Sequence, residues 1–185
     1  GVYNDTIYGS NDANYIESGR GNDTVTDGFG ADTVVAGDGN DIVRAVAGDD
    51  DTFAGGLGTD QIDYSLLSNE TGEGVIFMMT WTENAGNIDT ISGFEKFVGS
   101  QYNDIFVGAA GAQLFAGGAG DDLFRSFGGL DQLYLGAGFD YVSFNKADVV
   151  SDAGIHLGYD TIFGFNKDED TIDLVDIFAD RTITD

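Results

Sequence analysis

Aspartates recur through this chain at a spacing that only a repeating fold could use. Asp23, Asp32 and Asp41 stand nine residues apart, and Asp60 follows after one inserted residue near Asp50 and Asp51. Asp5 fits the same phase, and Asn14 stands where an aspartate is due. A second series, again at intervals of nine, runs Asp104, Gln113, Asp122, Asp131 and Asp140. Carboxylates are hard oxygen ligands, and a glycine-rich turn can direct its backbone carbonyls at the same point. Calcium accepts about six to eight such oxygens at roughly 2.3–2.6 Å and mixes the two kinds freely, whereas magnesium demands tight octahedral geometry and sheds water reluctantly. The chemistry indicated is coordination of several Ca2+ ions. Acid–base catalysis is not indicated, because every acid in the two series already has a place in the repeat.

The elements that must hold these acids are short strands. An apolar residue stands two positions after each series member: Ile7, Ile16, Val25, Val34, Val43, Phe53 and Ile62, then Phe106, Phe115, Phe124, Leu133 and Val142. Neighbours such as Thr6, Thr24, Thr26, Thr33 and Arg44 are polar, the alternation of a strand with one solvated face. Glycines precede the acids, as in Gly19-Arg20-Gly21 and Gly55-Gly56-Leu57-Gly58. Turn-forming stretches alternating with such strands build neither a helix nor an ordinary hairpin. They predict an all-β fold, a parallel β-roll (a β-solenoid) in which two nonapeptides make one coil. Turns on one side are then 18 residues apart, placing Asp5, Asp23, Asp41 and Asp60 in one file. Asn14, Asp32 and either Asp50 or Asp51 form the opposite file. In the second series the files are Asp104, Asp122, Asp140 and Gln113, Asp131.

Bulk composition agrees. The 185 residues include 29 Gly, no Pro and no Cys, with 33 acids against 7 bases and a net charge of −26. Nucleic acid and anionic membrane partners are excluded, since their phosphates would be repelled. Stacked carboxylates about 5 Å apart repel by roughly 3 kcal/mol at an effective dielectric near 20, so they require a counter-ion. Absence of cysteine fits a reducing cytosol, or an exported chain stapled by something other than disulfides. No window is apolar enough for a membrane span. The opening Gly1-Val2-Tyr3-Asn4-Asp5 reads as mid-repeat and not as a leader, which predicts a piece of a larger protein. With 12% aromatic and 42% apolar residues, the chain carries enough core to fold.

Four segments are predicted: a first roll block at 1–63, a strand-rich insert at 64–98, a second block at 99–143 and a C-terminal cap at 144–185. Within the insert, Val75–Trp81 reads as one strand, Glu83–Asn87 as a turn and Ile88–Val98 as a second strand-rich run, giving a hairpin or an enlarged coil. The second block is apolar on its outer face as well, at Ile105, Val107, Leu114, Leu123, Tyr134 and Tyr141. Such a face calls for cover. Two strands around the turn Asn166–Glu169 are predicted to cap the block, with Phe163, Phe165, Ile172 and Leu174 packing in part on it, closing its end or covering Leu114, Leu123 and Tyr141, and Val175–Arg181 as a short helix.

The pattern G-G-x-G-x-D-x-U-x, clearest at Ser18–Asp63, resembles the RTX (hemolysin-type calcium-binding) repeats of secreted bacterial proteins. The resemblance implies that each ion lies between the Asp of one turn and the Asp one coil on, with carbonyls from both turns. By position, one site joins Gly19, Gly21 and Asp23 to Ala36, Asp38 and Asp41. The next joins Gly37, Gly39 and Asp41 to Gly55, Leu57 and Asp60. In the second block, Ser100, Tyr102 and Asp104 join Gly117, Ala119 and Asp122, and then Gly118, Gly120 and Asp122 join Leu135, Ala137 and Asp140. Gly28, Gly30 and Asp32 with Asp50 or Asp51, and Asp131 with its neighbours, would serve the opposite files. The neutral Asn14 and Gln113 should weaken their sites. The family further implies export by type I secretion machinery from a Gram-negative bacterium, folding in calcium outside the cell, and a secreted or cell-surface location. An adhesin is the favoured parent, with a secreted lipase or metalloprotease as the alternative.

Other candidates fall to simpler readings. His156 is the lone histidine and has no nucleophile motif beside it. Asp121-Asp122 and Asp168-Glu169 could suggest a glycosidase pair, but the former belongs to the repeat. Gly117-Gly118-Ala119-Gly120 lacks the lysine and long helix of a phosphate-binding loop. Trp81, Met78 and Met79 read as core packing.

Overall fold

The computed structural model describes residues 1–46, 50–67, 73–78, 81–84, 87–109, 111–126, 129–144 and 160–174. Seven strands come first: β1 (Thr6–Tyr8), β2 (Tyr15–Arg20), β3 (Thr24–Thr26), β4 (Thr33–Asp38), β5 (Ile42–Arg44), β6 (Thr52–Leu57) and β7 (Gln61–Asp63). Four follow in the predicted insert: β8 (Val75–Met78), β9 (Trp81–Asn84), β10 (Asn87–Ser92) and β11 (Lys96–Val98). The remainder are β12 (Ile105–Val107), β13 (Leu114–Ala119), β14 (Leu123–Ser126), β15 (Gln132–Ala137), β16 (Tyr141–Phe144), β17 (Thr161–Phe163) and β18 (Thr171–Asp173). No helix occurs among the described residues.

The strands fall into two facing sheets, alternating between them except that β8, β9 and β10 share one. One is ordered β1-β3-β5-β7-β11-β13-β15-β17, the other β2-β4-β6-β10-β9-β8-β12-β14-β16-β18. Pairing is parallel with the 18-residue offset expected of the coil, Thr6 against Thr24 and Tyr15 against Thr33. The chain is thus an all-β parallel roll. The centre residues of the strands point between the sheets, and Val25, Val34, Val43, Phe53, Ile62, Phe106 and Phe124 are wholly buried. In the second half the core becomes an aromatic column: Phe77, Phe106 and Phe124 stack at 4.9 Å spacings. Both sheets continue from the first repeats to the second through strands β8 to β11.

That join differs from expectation in one respect. The apolar run Val75–Trp81 is not one strand: Met78 pairs with Trp81 across an antiparallel β8–β9 hairpin. Because β9 is also antiparallel to β10, the chain zigzags across the second sheet before resuming the coil, making it ten strands wide against eight. Strand β10 rejoins the coil on β6, and β8 receives β12, both in parallel. Met79 and the Trp81 side chain lie outside the described residues, as do His156 and the helix predicted at 175–181.

Of the two predicted ways to cap the second block, residues 160–174 take the end closure, by extending the roll. Strands β17 and β18 pair in parallel with β15 and β16. Ile162 packs against the core, and Phe163 stacks on Tyr134 with ring centroids 4.5 Å apart. Phe165, Ile172 and Leu174 stay 43, 38 and 39% exposed, so the predicted cover over Leu114 and Leu123 does not form from them. Continuing a parallel ladder satisfies backbone groups at the open end, which lying across the outer face would leave unpaired.

Candidate metal centre

Most of the regular turns owe their shape to glycines in left-handed conformation. Gly37 (φ 113°) and Gly39 (φ 149°) bring their α-carbons against the previous coil, where an added methyl would sit 2.0 and 1.9 Å from the Gly19 and Gly21 carbonyl oxygens. The same contacts recur at Gly118 on Ser100 (2.3 Å) and Gly136 on Gly118 (2.3 Å). Only glycine permits both the φ and the approach. Consequently the turn carbonyls of successive coils stack closely, as a multidentate oxygen site requires.

The carboxylates form ladders down the roll. Backbone N–H of each ladder residue donates to a carboxylate one coil further on: Asp5 to Asp23 (2.7 Å), Asp23 to Asp41 (2.7 Å), Asp41 to Asp60 (2.8 Å). Across the roll, Asn14 donates to Asp32 (2.6 Å) and Asp32 to Asp51 (2.7 Å). In the second half, Asp104 donates to Asp122 (2.8 Å), Asp122 to Asp140 (2.9 Å) and Gln113 to Asp131 (2.9 Å). The files drawn from the sequence are therefore those that the fold assembles. The choice between Asp50 and Asp51 is also resolved. Asp51 is buried in the file, whereas Asp50 is exposed and accepts from the Ile88 N–H at 2.9 Å, which removes Asp50 as a file member. Thr52 pairs with Thr33, so the inserted residue is absorbed before Asp51.

Each ladder bond uses one carboxylate oxygen, Oδ1. The other oxygen, Oδ2, is buried without a hydrogen-bond donor at Asp23, Asp32, Asp41, Asp60, Asp122 and Asp140. A buried anionic oxygen lacking a donor is costly. Beside Gly117, an added methyl would lie 2.2 Å from Asp122 Oδ2 and 2.3 Å from the Leu135 carbonyl oxygen, so both oxygens converge on one small region. The residues present thus fit a hard cation: anionic oxygens without donors and neighbouring carbonyls. Asp104 differs, since Ser100 N–H takes its Oδ2 at 2.7 Å and Ser100 Oγ donates to Oδ1 at 2.9 Å.

Burial raises Asp32, Asp41, Asp60, Asp104, Asp122 and Asp140. Desolvation pushes the Asp122 carboxyl up to about 8, with Asp104 and Asp140 adding repulsion against the lowering effect of the Asp104 N–H. Desolvation also takes Asp104 to about 6, restrained by hydrogen bonds from Val75 and Ser100. Asp32, Asp41, Asp60 and Asp140 move upward for the same first cause. An acid whose pKa is higher folded than unfolded stabilises the fold when protonated, so its contribution is complete below the ordinary carboxylate range and vanishes as pH rises through the folded value. Ion-free protein in chelator should therefore retain more β structure at pH 5 than at pH 8, as followed by far-UV circular dichroism. β structure in chelator that grows as pH rises over that window would show that the acids are not held without donors in the ion-free roll.

Sequence reasoning missed several participants. The ladders continue past the two series: Asp60 N–H donates to Glu95 (2.9 Å), Asp51 N–H to Asp89 (3.0 Å), Asp131 N–H to Asp160 (2.9 Å) and Asp140 N–H to Asp170 (3.1 Å). A parallel outer ladder of Asn4, Asn22 and Asn40 accepts from Asn22, Asn40 and Thr59 N–H, and the repeated Asn-Asp dipeptide was its available signal. Asp27 was also overlooked. It is fully buried, its Oδ2 has no donor, and desolvation raises it to about 8.

Together, the coil, the left-handed turns and the carboxylate files define a parallel β-roll of the calcium-binding kind. The RTX calcium-binding nonapeptide repeat matches the chain in four copies, at residues 1–25, 18–50, 26–62 and 107–142. These cover over half of its length, and the chain belongs to that family. No curated protein matches it. Among solved structures, the extracellular lipase LipA from Serratia marcescens aligns with 90% of this chain and 32% of its own, at 20% identity and a TM-score of 0.27. The chain thus spans about a third of that lipase, and a likeness this distant leaves the assignment to the repeats.

Proposed function

We propose that this chain is a non-catalytic module that binds several calcium ions and folds as it does so, within a larger protein exported by a Gram-negative bacterium. The observation that carries this reading is the row of buried Oδ2 atoms without donors, two of which, on Asp60 and Asp122, converge with a carbonyl oxygen of the next coil. Binding energy becomes folding energy where no site exists in the open chain. In a calcium-poor cytosol the carboxylate files oppose folding, keeping the chain open for passage through the type I secretion machinery. Outside, calcium neutralises the files. The parent is read as an adhesin or other surface protein, with a secreted hydrolase as the alternative. Sequence preceding Gly1 separates them, tandem immunoglobulin-like domains against a G-x-S-x-G or H-E-x-x-H motif.

The ligand assignment has a direct test. Asp41 and Asp122 would each be shared by two successive ions, whereas Asn14 and Gln113 bring no charge. Asp41→Ala and Asp122→Ala should each cost about two bound ions, and the lost ladder acceptor should add about 1–3 kcal/mol of destabilisation. Asn14→Ala and Gln113→Ala should change the count little. Equilibrium dialysis against calcium measures it, and equal losses from all four would refute the pairing.

A further inference from the structure

Where the first repeats meet the join, the turn after Asp60 is abbreviated. Gly55 precedes Asp60 by five residues, but its counterpart one coil on, Gly93, precedes Glu95 by only two. The geometry nevertheless repeats. Beside Gly55, an added methyl would lie 2.8 Å from Asp60 Oδ2 and 2.1 Å from the Gly93 carbonyl oxygen, the same convergence as Asp122 Oδ2 and the Leu135 carbonyl beside Gly117. Gly93 adopts φ +69°, which permits the tight reversal. Glu95 Oε2 accepts from the Asp60 N–H at 2.9 Å, in the place that an aspartate Oδ1 holds in regular coils. Its extra methylene lets a shorter turn deliver a carboxylate to the same point.

We infer that Glu95 and the Gly93 carbonyl complete a further calcium site with Asp60, one that departs from the nonapeptide spacing and carries the ion file across the join between the two repeat blocks. The inference rests on the calcium reading given above. Asp60 is fully buried, and its Oδ2 has no donor. Its own turn adds carbonyls at Gly56 and Gly58, the positions equivalent to Gly37 and Gly39 one coil earlier. The competing role for Glu95 is to accept the Asp60 N–H and nothing more. A glutamine keeps that acceptor and removes the charge.

The test is calcium counting by equilibrium dialysis on the whole chain for wild type, Glu95→Gln and Asp122→Asn, with circular dichroism to confirm the roll. Glu95→Gln should fold and bind one ion fewer, or bind one ion at least tenfold more weakly. An unchanged count and affinity with Glu95→Gln, while Asp122→Asn loses ions, overturns the inference and leaves the calcium reading intact. Absence of bound calcium in all three proteins overturns both. Should Glu95→Gln fail to fold at millimolar calcium, the concentration is raised. Recovery of β structure supports a lost ligand, by mass action, and no recovery at any concentration assigns Glu95 a structural role and overturns the site.

Discussion

In excess EDTA the chain is expected to lose most of its β structure, and millimolar calcium, but not equal magnesium, to restore it. The cause lies in the balance of charge. A net −26 is spread over a narrow roll, with aspartates stacked one coil apart in files and buried at 0–3% exposure. Without a cation, each file either repels itself or must take up protons, and at neutral pH the open chain, where aspartates ionise freely, is favoured. Calcium reverses this. Each ion present at 100 times its dissociation constant adds about 2.7 kcal/mol, so a few sites exceed the whole stability of an ordinary domain. Magnesium should fail because stacked turns offer many carbonyls in irregular geometry, not a tight octahedron. Far-UV circular dichroism during titration reads the outcome directly. A stable β-rich fold that persists in chelator would overturn calcium-driven folding.

Much of the repeat was legible because its signals are local. The carboxylate, the apolar residue two beyond it and the preceding glycines recur within nine residues, and together they define both coil and core. What escaped depends on distant pairing. Asp50 and Asp51 look alike in sequence, and only the alignment of Thr52 with Thr33 selects Asp51. The strand Val75–Trp81 carries no glycine or proline to mark the reversal after Met78, so its apolar run read as continuous. Likewise, nothing near Asp104 announces which side of the roll it occupies. It precedes β12 in the sheet that holds β4, in line with Asp32 and not with Asp23. Glu95 was invisible for a simpler reason: it is the wrong acid at the wrong spacing.

Removing residues 144–185 is expected to be nearly as damaging as removing calcium. In the full chain, the Thr161 N–H donates to the Asp131 carbonyl and the Thr171 N–H to the Asp140 carbonyl, both at 2.8 Å, so each sheet gains a final strand. Asp160 and Asp170 accept the Asp131 and Asp140 N–H groups at 2.9 and 3.1 Å. Ile162 covers the last layer of core, next to Leu133 through the β15–β17 pairing. Truncation at residue 143 would bare two sheet edges and one core layer, and would remove Asp160 and Asp170, which accept the Asp131 and Asp140 N–H groups. Each unpaired buried group costs about 1–3 kcal/mol, and a solenoid without its terminal coil loses a full nearest-neighbour interface. The truncated chain should therefore need more calcium to reach half-folding and melt well below the full chain in saturating calcium. A companion protein ending at residue 174 retains β17 and β18 and should recover most of the loss. The alternative is that the tail begins a disordered secretion signal with no part in folding, and then all three proteins would share one calcium midpoint and one melting temperature. The parallel pairing of β17 and β18 with the last two full strands argues for the first outcome.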